Sequence, residues 1–291
     1  VRDTALFGLV AILLIGTGMI QGWNSDLLIL NMGLISAIMA LGVNLQWGFA
    51  GLFNIGVMGF VALGGLAAVL VSTEPVPEAW QAGVLLTVVA AVQAQKRLEG
   101  RTKTIATLVI LVGGFFLYRA VFDPGKVAVE AVNPAVSGNL GGLNLPILLS
   151  WPVGGLLAAG AAWVIGKTAL GLRSDYLAIA TLGIAEIIIA VLKNEDWLAR
   201  GVKNVIGLDR PVPYEIDLQQ DPGFVERAAS LGLDPVTAST LYTKVGYAIL
   251  FTIVLLIILW LAQKALNSPW GRMMRAIRDN ETAAEAMGKA V

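Results

Sequence analysis

The sequence predicts an all-α fold, a polytopic bundle of transmembrane helices. Of its 291 residues, 57% are hydrophobic and only 14% are charged, whereas a soluble domain carries about 25% charged residues. The apolar residues are concentrated in runs of about 20, the length that an α-helix needs to cross the hydrocarbon core of a bilayer. These two observations place the chain in a membrane.

Eight apolar runs predict about eight membrane spans. Seven are strong, and the eighth, at 79–94, is weaker because Gln81 and Thr87 interrupt it. The strong runs occupy residues 5–22, 27–47, 49–71, 104–122, 145–166, 174–193 and 241–263. The spans define a membrane domain over residues 1–266, followed by a polar terminal segment, residues 267–291.

The distribution of charge predicts which loops face the cytoplasm. Basic residues are enriched in cytoplasmic loops. If Arg2 lies there, alternation of the spans places twelve of the 20 Lys and Arg residues on that side with six carboxylates. The opposite side receives eight basic residues and thirteen acids, and Glu186 remains inside a span. We therefore expect a cytoplasmic terminal segment and two long outer loops, at about 123–144 and 194–240. Within the second loop, "DPGFVERAASLGLDPVTAST" predicts a short helix bounded by Asp-Pro turns.

The residue types that the chain lacks limit its chemistry. It has no cysteine and no histidine, which removes disulfides, thiolate nucleophiles and imidazole proton shuttles. Residues 160–168 partly match a phosphate-binding loop, but the motif needs a glycine at Ala161 and a preceding strand rather than an apolar helix. The sequence predicts a non-catalytic chain with no cofactor or metal of its own, and no nucleic-acid partner.

A glycine-rich stretch, residues 41–65, joins the second and third spans without a charged residue. Its glycines allow helix backbones to approach closely, and Asn44, Gln46 and Asn54 place amides at membrane depth. Two interpretations remain open at this point. The stretch is either ordinary helix packing, or a broken or re-entrant helix whose freed backbone groups line a cavity, as in transporters.

Glu186 lies near the middle of the apolar span 174–193. A charge there costs about 2.5–3.5 kcal/mol on insertion scales, so such residues are paired, protonated or facing water. We favour a neutral carboxyl group that is hydrogen-bonded to a neighbouring helix. The functional alternative is a gate residue, or a proton or sodium site.

The terminal segment predicts an amphipathic helix that opens with Ser268 as N-cap and Pro269 in the first position. A break is expected near Asp279. At about 100° per residue, one arc of this helix is apolar and another is basic. The apolar arc contains Trp270, Met273, Met274, Ile277, Ala284 and Met287. The basic arc contains Arg272, Arg275 and Arg278. Glu281 and Glu285 fall in or beside the apolar arc, which favours a groove on a protein partner over a lipid surface.

Three stretches of the chain together resemble a known family. "NSPWGRMMRAIRDNETAAEAMG" is similar to the cytoplasmic coupling motif of ABC-importer permeases, in the form found in branched-chain amino-acid permeases of the LivM type. "LGVNLQWGFAGLFNIGVMGFVALGG" and "LRSDYLAIATLGIAEIIIAVLKN" resemble the same family. The three stretches follow in the family's order and extend from residue 41 to residue 291.

The resemblance implies a translocation subunit of an ATP-binding-cassette importer in a bacterial inner membrane. A second homologous permease subunit would pair with it, and two ATPase subunits that bind ATP and Mg would drive the cycle. A periplasmic binding protein would deliver leucine, isoleucine, valine or a related amino acid. The family continues with further spans after the coupling helix, so a truncated chain is expected. An ion-coupled secondary transporter that uses Glu186 and a non-transporting membrane scaffold are the alternatives.

The resemblance also assigns roles to individual residues. Coupling to the ATPase would fall to Pro269, Gly271, Arg272, Arg275, Ala276, Arg278, Glu281, Glu285 and Gly288. The translocation pathway or gate would include Asn44, Gly48, Gly51, Asn54, Gly56, Tyr176, Thr181 and Glu186. Asn54 stands where the family usually has a serine, which bears on the substrate that we expect.

Overall fold

The computed structural model describes residues 2–73, 105–106, 108–117, 119–120, 123–124, 142–169, 171–172, 174–195, 208–280, 284 and 287. Every regular element within these ranges is helical, which confirms the predicted all-α fold. The chain divides into two compact units. The first contains residues 1–54 and 212–291, and the second contains residues 55–211.

Ten helices are used below and are numbered in chain order. They are α1 (Arg2–Gln21), α2 (Trp23–Asn44), α3 (Val57–Ser72), α4 (Leu108–Leu117), α5 (Ser150–Ala169), α6 (Ser174–Asn194), α7 (Glu215–Gln220), α8 (Pro222–Ser230), α9 (Pro235–Asn267) and α10 (Pro269–Asp279). A π-helical turn, Leu45–Phe49, extends α2, and a 3-10 turn, Ile147–Leu149, precedes α5.

Five helical segments of the described chain are long and apolar enough to cross a membrane. They are Thr4–Gln21, Trp23–Phe49, Ile147–Ala169, Tyr176–Asn194 and Pro235–Asn267. The shorter apolar helices α3 and α4 coincide with two further predicted spans, 49–71 and 104–122. The weak span predicted at 79–94 lies outside the described residues, so the count of eight stays a prediction.

In the first unit, α2 packs against both α1 and α9. Hydrogen bonds join α2 to α9: Asn31 Nδ2 donates to the Lys244 carbonyl oxygen at 3.0 Å, and Lys244 Nζ donates to the Asn24 carbonyl oxygen at 3.0 Å. Polar contacts of this kind matter in a membrane because apolar burial alone does not distinguish another helix from lipid.

The part of the first unit that leads into α9 is built on two Asp-Pro pairs. Asp221 Oδ1 accepts from Gly223 N at 3.0 Å and caps α8. Asp234 Oδ2 accepts from Val236 N at 3.2 Å and caps α9. The short helix expected between the two pairs is confirmed as α8. The second pair opens α9 at Pro235, so this helix begins inside the predicted outer loop 194–240, because the aspartate satisfies its first free amides.

In the second unit, α3 packs against α5 and α6 through glycines. A Cβ at Gly59 would lie 3.0 Å from Ala185 Cα, and a Cβ at Gly154 would lie 3.2 Å from Gly64 Cα. A Cβ at Gly56 would collide with the backbone carbonyl of Thr181. The absence of side chains at these positions brings the helix backbones into direct contact.

We expect Gly56→Ala to destabilise the second unit, because the new methyl group meets rigid backbone rather than a mobile side chain. Overpacking of this kind costs about 1–3 kcal/mol. The midpoint of thermal unfolding of the detergent-solubilised protein should fall by several degrees. Gly65→Ala is the matched control, since a Cβ there meets nothing within 4 Å. Equal midpoints for the two variants would show that the close approach is not needed.

Candidate functional site

The terminal helix α10 begins and ends where the sequence predicts. Ser268 Oγ accepts from Gly271 N at 3.4 Å and donates to the Ala265 carbonyl oxygen at 2.6 Å, and Pro269 follows as the first helical residue. The helix ends at Asp279, and the next residue, Asn280, is extended. The Ser268 cap therefore defines the start of α10.

The corner between α9 and α10 is closed by a direct backbone contact. Gly271 is buried, and a Cβ at this position would lie 2.5 Å from Leu266 Cα. Arg275 Nη2 donates to the Leu266 carbonyl oxygen at 3.0 Å, and Arg272 Nη1 donates to the Asn267 carbonyl oxygen at 3.2 Å. Both arginines thus satisfy carbonyls at the end of α9, which have no partner within their own helix.

The third arginine of α10, Arg278, reaches the π-helical turn at the end of α2. Its Nη1 donates to the Gly48 carbonyl oxygen at 2.6 Å. Its side chain also covers Gly51, where a Cβ would lie 2.6 Å from Arg278 Cγ. Gly51 has a φ of 73°, in the left-handed region that favours glycine. The structure therefore brings together Gly48, Gly51 and Arg278, which the sequence assigned to two different roles.

The glycine-rich stretch is a broken helix rather than continuous helix packing. The π-helical turn ends at Phe49, and α3 begins only at Val57, although the apolar run predicted a span from residue 49. Amide groups hold the break: Leu52 N donates to the Gln46 carbonyl oxygen at 3.0 Å, and Asn54 Nδ2 donates to Gln46 Oε1 at 3.0 Å. The composition of the run hides the break because, apart from Asn54, its residues are apolar side chains and glycines.

An apolar cavity of about 280 Å³ lies between the π-helical turn, α9 and α10. Its lining consists of Leu45, Phe49, Ala50, Ile258, Leu261, Ala262, Ala265, Leu266, Trp270 and Met274. Met274 therefore faces its own unit, whereas the sequence predicted that the apolar arc of α10 contacts a partner. The exposed positions of α10 include Arg272, Ala276 and Asp279.

The remaining predicted pathway residues divide between the units. Asn44 ends α2 in the first unit, and its Oδ1 lies where a Cβ of Gly48 would be. In the second unit, Thr181 is buried, donates to the Ala178 carbonyl oxygen at 2.9 Å and accepts from Ile55 N at 3.2 Å.

Two residues of α6 that the sequence singled out are exposed. Tyr176 presents 63% of its surface, and Glu186 is exposed as well. Glu186 forms no hydrogen bond or ion pair with any residue that the structure describes, so the favoured bond to a neighbouring helix is not seen there. Glu281, Glu285 and Gly288, three predicted coupling residues, lie outside the described residues.

Sequence reasoning missed the partners of the arginines. The acceptors of the arginines include the carbonyl groups of Gly48, Leu266 and Asn267. Every residue has a backbone carbonyl, so the sequence does not show which carbonyl accepts a bond, and Arg278 is 230 positions from Gly48. The spacing of Gly48 and Gly51 after an amide-bearing span is the one local signal that points to this turn.

These features define a class, the polytopic helical membrane proteins, with a broken span and a polar helix fixed to the end of a span. Comparison with known proteins refines the class. A model of the family described as "Branched-chain amino acid transport system / permease component" matches residues 27–291. The chain belongs to this family, which confirms the resemblance.

Two curated relatives are similar to part of the chain. The high-affinity branched-chain amino acid transport system permease protein LivM of Escherichia coli K12 is 29% identical over 170 residues, which cover 56% of this chain and 38% of that protein. The protein of the same name from Salmonella typhimurium is 28% identical over the same shares. The match thus spans well under half the length of these relatives. No solved structure matches the chain.

We expect Gly271→Ala to loosen α10, because the added methyl group would collide with the backbone of Leu266. A cost of about 1.4 kcal/mol, within the range for overpacking, corresponds to a factor of about ten in local opening. Limited trypsin digestion should therefore release fragments that end at Arg272, Arg275 or Arg278 about ten times faster. Gly160→Ala is the control, since no atom lies within 4 Å of a Cβ there. Unchanged digestion in Gly271→Ala would contradict the tight corner.

Proposed function

We propose that this chain is a translocation subunit of an ATP-driven importer of branched-chain or related amino acids. The observation that supports this most directly is the attachment of α10. The start of α10, called its root below, is held to α9 by the Gly271 contact and by Arg275, while Arg272 and Ala276 remain exposed. A short helix that is fixed at one side and exposed at the other suits a partner that moves the membrane spans through it.

Within each unit, the helix ends that contact each other are ends that the predicted topology places on the same side of the membrane. In the first unit, Arg278 and Gly48, both expected in the cytoplasm or at its border, contact each other. At the other end, Lys244, which lies near the expected outer end of the span 241–263, donates to Asn24, which is expected outside. This pairing supports a bacterial inner-membrane protein whose α10 faces the cytoplasm.

The second unit shows the same agreement. Asn144 N donates to the Thr73 carbonyl oxygen at 3.0 Å, and both residues are expected outside. Ile55 N and Thr181 Oγ1 meet near the ends that are expected at the cytoplasmic side. Alternation of the predicted spans therefore matches the contacts of both units, each taken by itself.

The remaining components of the proposed importer are separate proteins. A second homologous permease subunit would complete the pathway, and two ATPase subunits would bind ATP and Mg. A periplasmic binding protein would deliver the amino acid. The chain itself would contribute no catalytic residue. The proposal for the substrate rests on the family description and on the relatives, both of which name branched-chain amino acid transport.

Within the chain, we propose that residues 50–56 are the hinge of the pathway. The non-helical segment contains Gly51, whose positive φ most residues avoid, and Gly56, which lies against Thr181. Hinges concentrate their backbone changes in a few residues at element ends. As the family resemblance implies, Asn44, Gly48 and Asn54 of the first unit and Tyr176 and Glu186 of the second would each contribute to the pathway.

We expect Arg272→Glu to reduce ATP-driven uptake about tenfold or more. The reversed charge on the exposed side of α10 and the loss of the bond to the Asn267 carbonyl oxygen both weaken docking of the ATPase, and each tenfold corresponds to about 1.4 kcal/mol. Uptake of radiolabelled leucine is measured in cells that express the full-length protein with its native partners. Co-purification of an ATPase through a tag on this chain is measured in the same cells, and it should decrease in parallel.

Arg227→Glu is the matched control. Arg227 is an exposed arginine of α8, on the side expected outside, and it bonds within its own helix through Gly223. Normal uptake in this control with loss in Arg272→Glu supports the importer. Uptake that persists without any ATPase and disappears in Glu186→Gln would instead establish an ion-coupled transporter. If the chain co-purifies with no ATPase and supports no uptake, the importer is excluded and the non-transporting membrane scaffold is favoured.

A further inference from the structure

We propose that Arg278 is a positioning residue that locks α10 to the π-helical turn of α2, so that the turn and the terminal helix move as one body. The contacts that form this lock all lie within the first unit. Its importance for transport rests on the proposed function, in which motion enters the membrane through α10.

The guanidinium group of Arg278 is held in one orientation by the next residue. Nε and Nη2 both donate to Asp279 Oδ1, at 2.9 and 2.7 Å. This fork leaves Nη1 directed at the Gly48 carbonyl oxygen, 2.6 Å away. A hydrogen bond from a charged donor is stronger than a neutral one. The fixed geometry of the arginine fork therefore aims a strong bond at a single carbonyl.

The receiving surface is shaped for the arginine side chain. Gly51 presents bare backbone, and a Cβ there would lie 2.6 Å from Arg278 Cγ and 3.5 Å from Arg278 Cβ. The backbone of Gly51 is also left-handed, with φ at 73°. Space for the side chain and the shape of the turn thus require glycine at the same position.

The turn that Arg278 binds is where the regular helix of α2 ends. Ala50 N donates to the Leu45 carbonyl oxygen at 3.3 Å, an i to i+5 bond, and π-helical turns of this kind are frequent at functional sites. Gly48 lies within this turn. Four residues after Gly51 the chain reaches Ile55, whose amide binds Thr181 in the second unit. A force applied at Gly48 and Gly51 therefore acts at the start of the proposed hinge.

The other two arginines of α10 bind elsewhere. Arg272 and Arg275 donate to carbonyls of Asn267, Leu266 and Gly271, all at the corner of α9 and α10. They fix the root of α10 and do not reach the turn. Among the arginines of α10, Arg278 alone carries a hydrogen bond from this helix to α2 within the described residues.

The test is hydrogen–deuterium exchange of the purified full-length protein, read on peptides that cover residues 45–52. In Arg278→Ala, exchange in these peptides should increase about tenfold, while peptides of α8 remain unchanged. Arg278→Lys should give an intermediate rate, because a lysine donates to the Gly48 carbonyl oxygen but cannot hold Asp279 in the same fork. Arg227→Ala, which removes an exposed arginine of the same unit, should leave residues 45–52 unchanged.

Uptake of radiolabelled leucine and co-purification of the ATPase provide the second readout. Arg278→Ala should lose about nine-tenths of the ATP-driven uptake. Unchanged exchange at residues 45–52 would overturn the lock. Increased exchange with full uptake would overturn the claim that the turn must move with α10. If the unmodified protein brings down no ATPase, the proposed function fails, whereas the exchange result still decides whether the lock exists.

Discussion

The close contact between Gly271 and the backbone of Leu266 is the constraint on which the candidate site depends. It brings α10 against the end of α9, and from that position Arg275 reaches the Leu266 carbonyl oxygen at 3.0 Å. The same placement turns Met274 toward the apolar cavity and brings Arg278 to the π-helical turn. A side chain at residue 271 would separate the two helices, and each of these contacts would lengthen.

Close backbone contact also organises the second unit, where Gly56 and Gly59 of the α3 region lie against Thr181 and Ala185 of α6. Lipid is as apolar as a leucine side chain, so helices in a bilayer gain little from burying large apolar residues against each other. Small residues that allow dense packing, together with bonds such as that from Ile55 N to Thr181 Oγ1, provide the association instead. Each unit, taken by itself, thus combines close backbone contact at glycines with hydrogen bonds between its segments.

The arginines of α10 show how a sequence pattern and a structure differ in what they resolve. Helical periodicity places the three arginines on one arc, and the family resemblance implies a common role for them in coupling. In the structure, Arg272 and Arg275 donate to carbonyl oxygens at the end of α9, whereas Arg278 donates to the carbonyl oxygen of Gly48, 230 positions away. Periodicity cannot distinguish these roles, because the acceptors are backbone groups whose positions depend on how the helices pack.

The sequence by itself determined the all-α membrane fold and the helix ends at Ser268, Asp221 and Asp234, because hydropathy and capping act between residues that are neighbours along the chain. It also predicted the end of α10 near Asp279 and the family. Only the tertiary structure decided that the third span begins as a helix at Val57, since amide bonds and packing override the apolar composition of residues 50–56. The partners of each arginine, likewise, are set by contacts between helices that are distant in sequence.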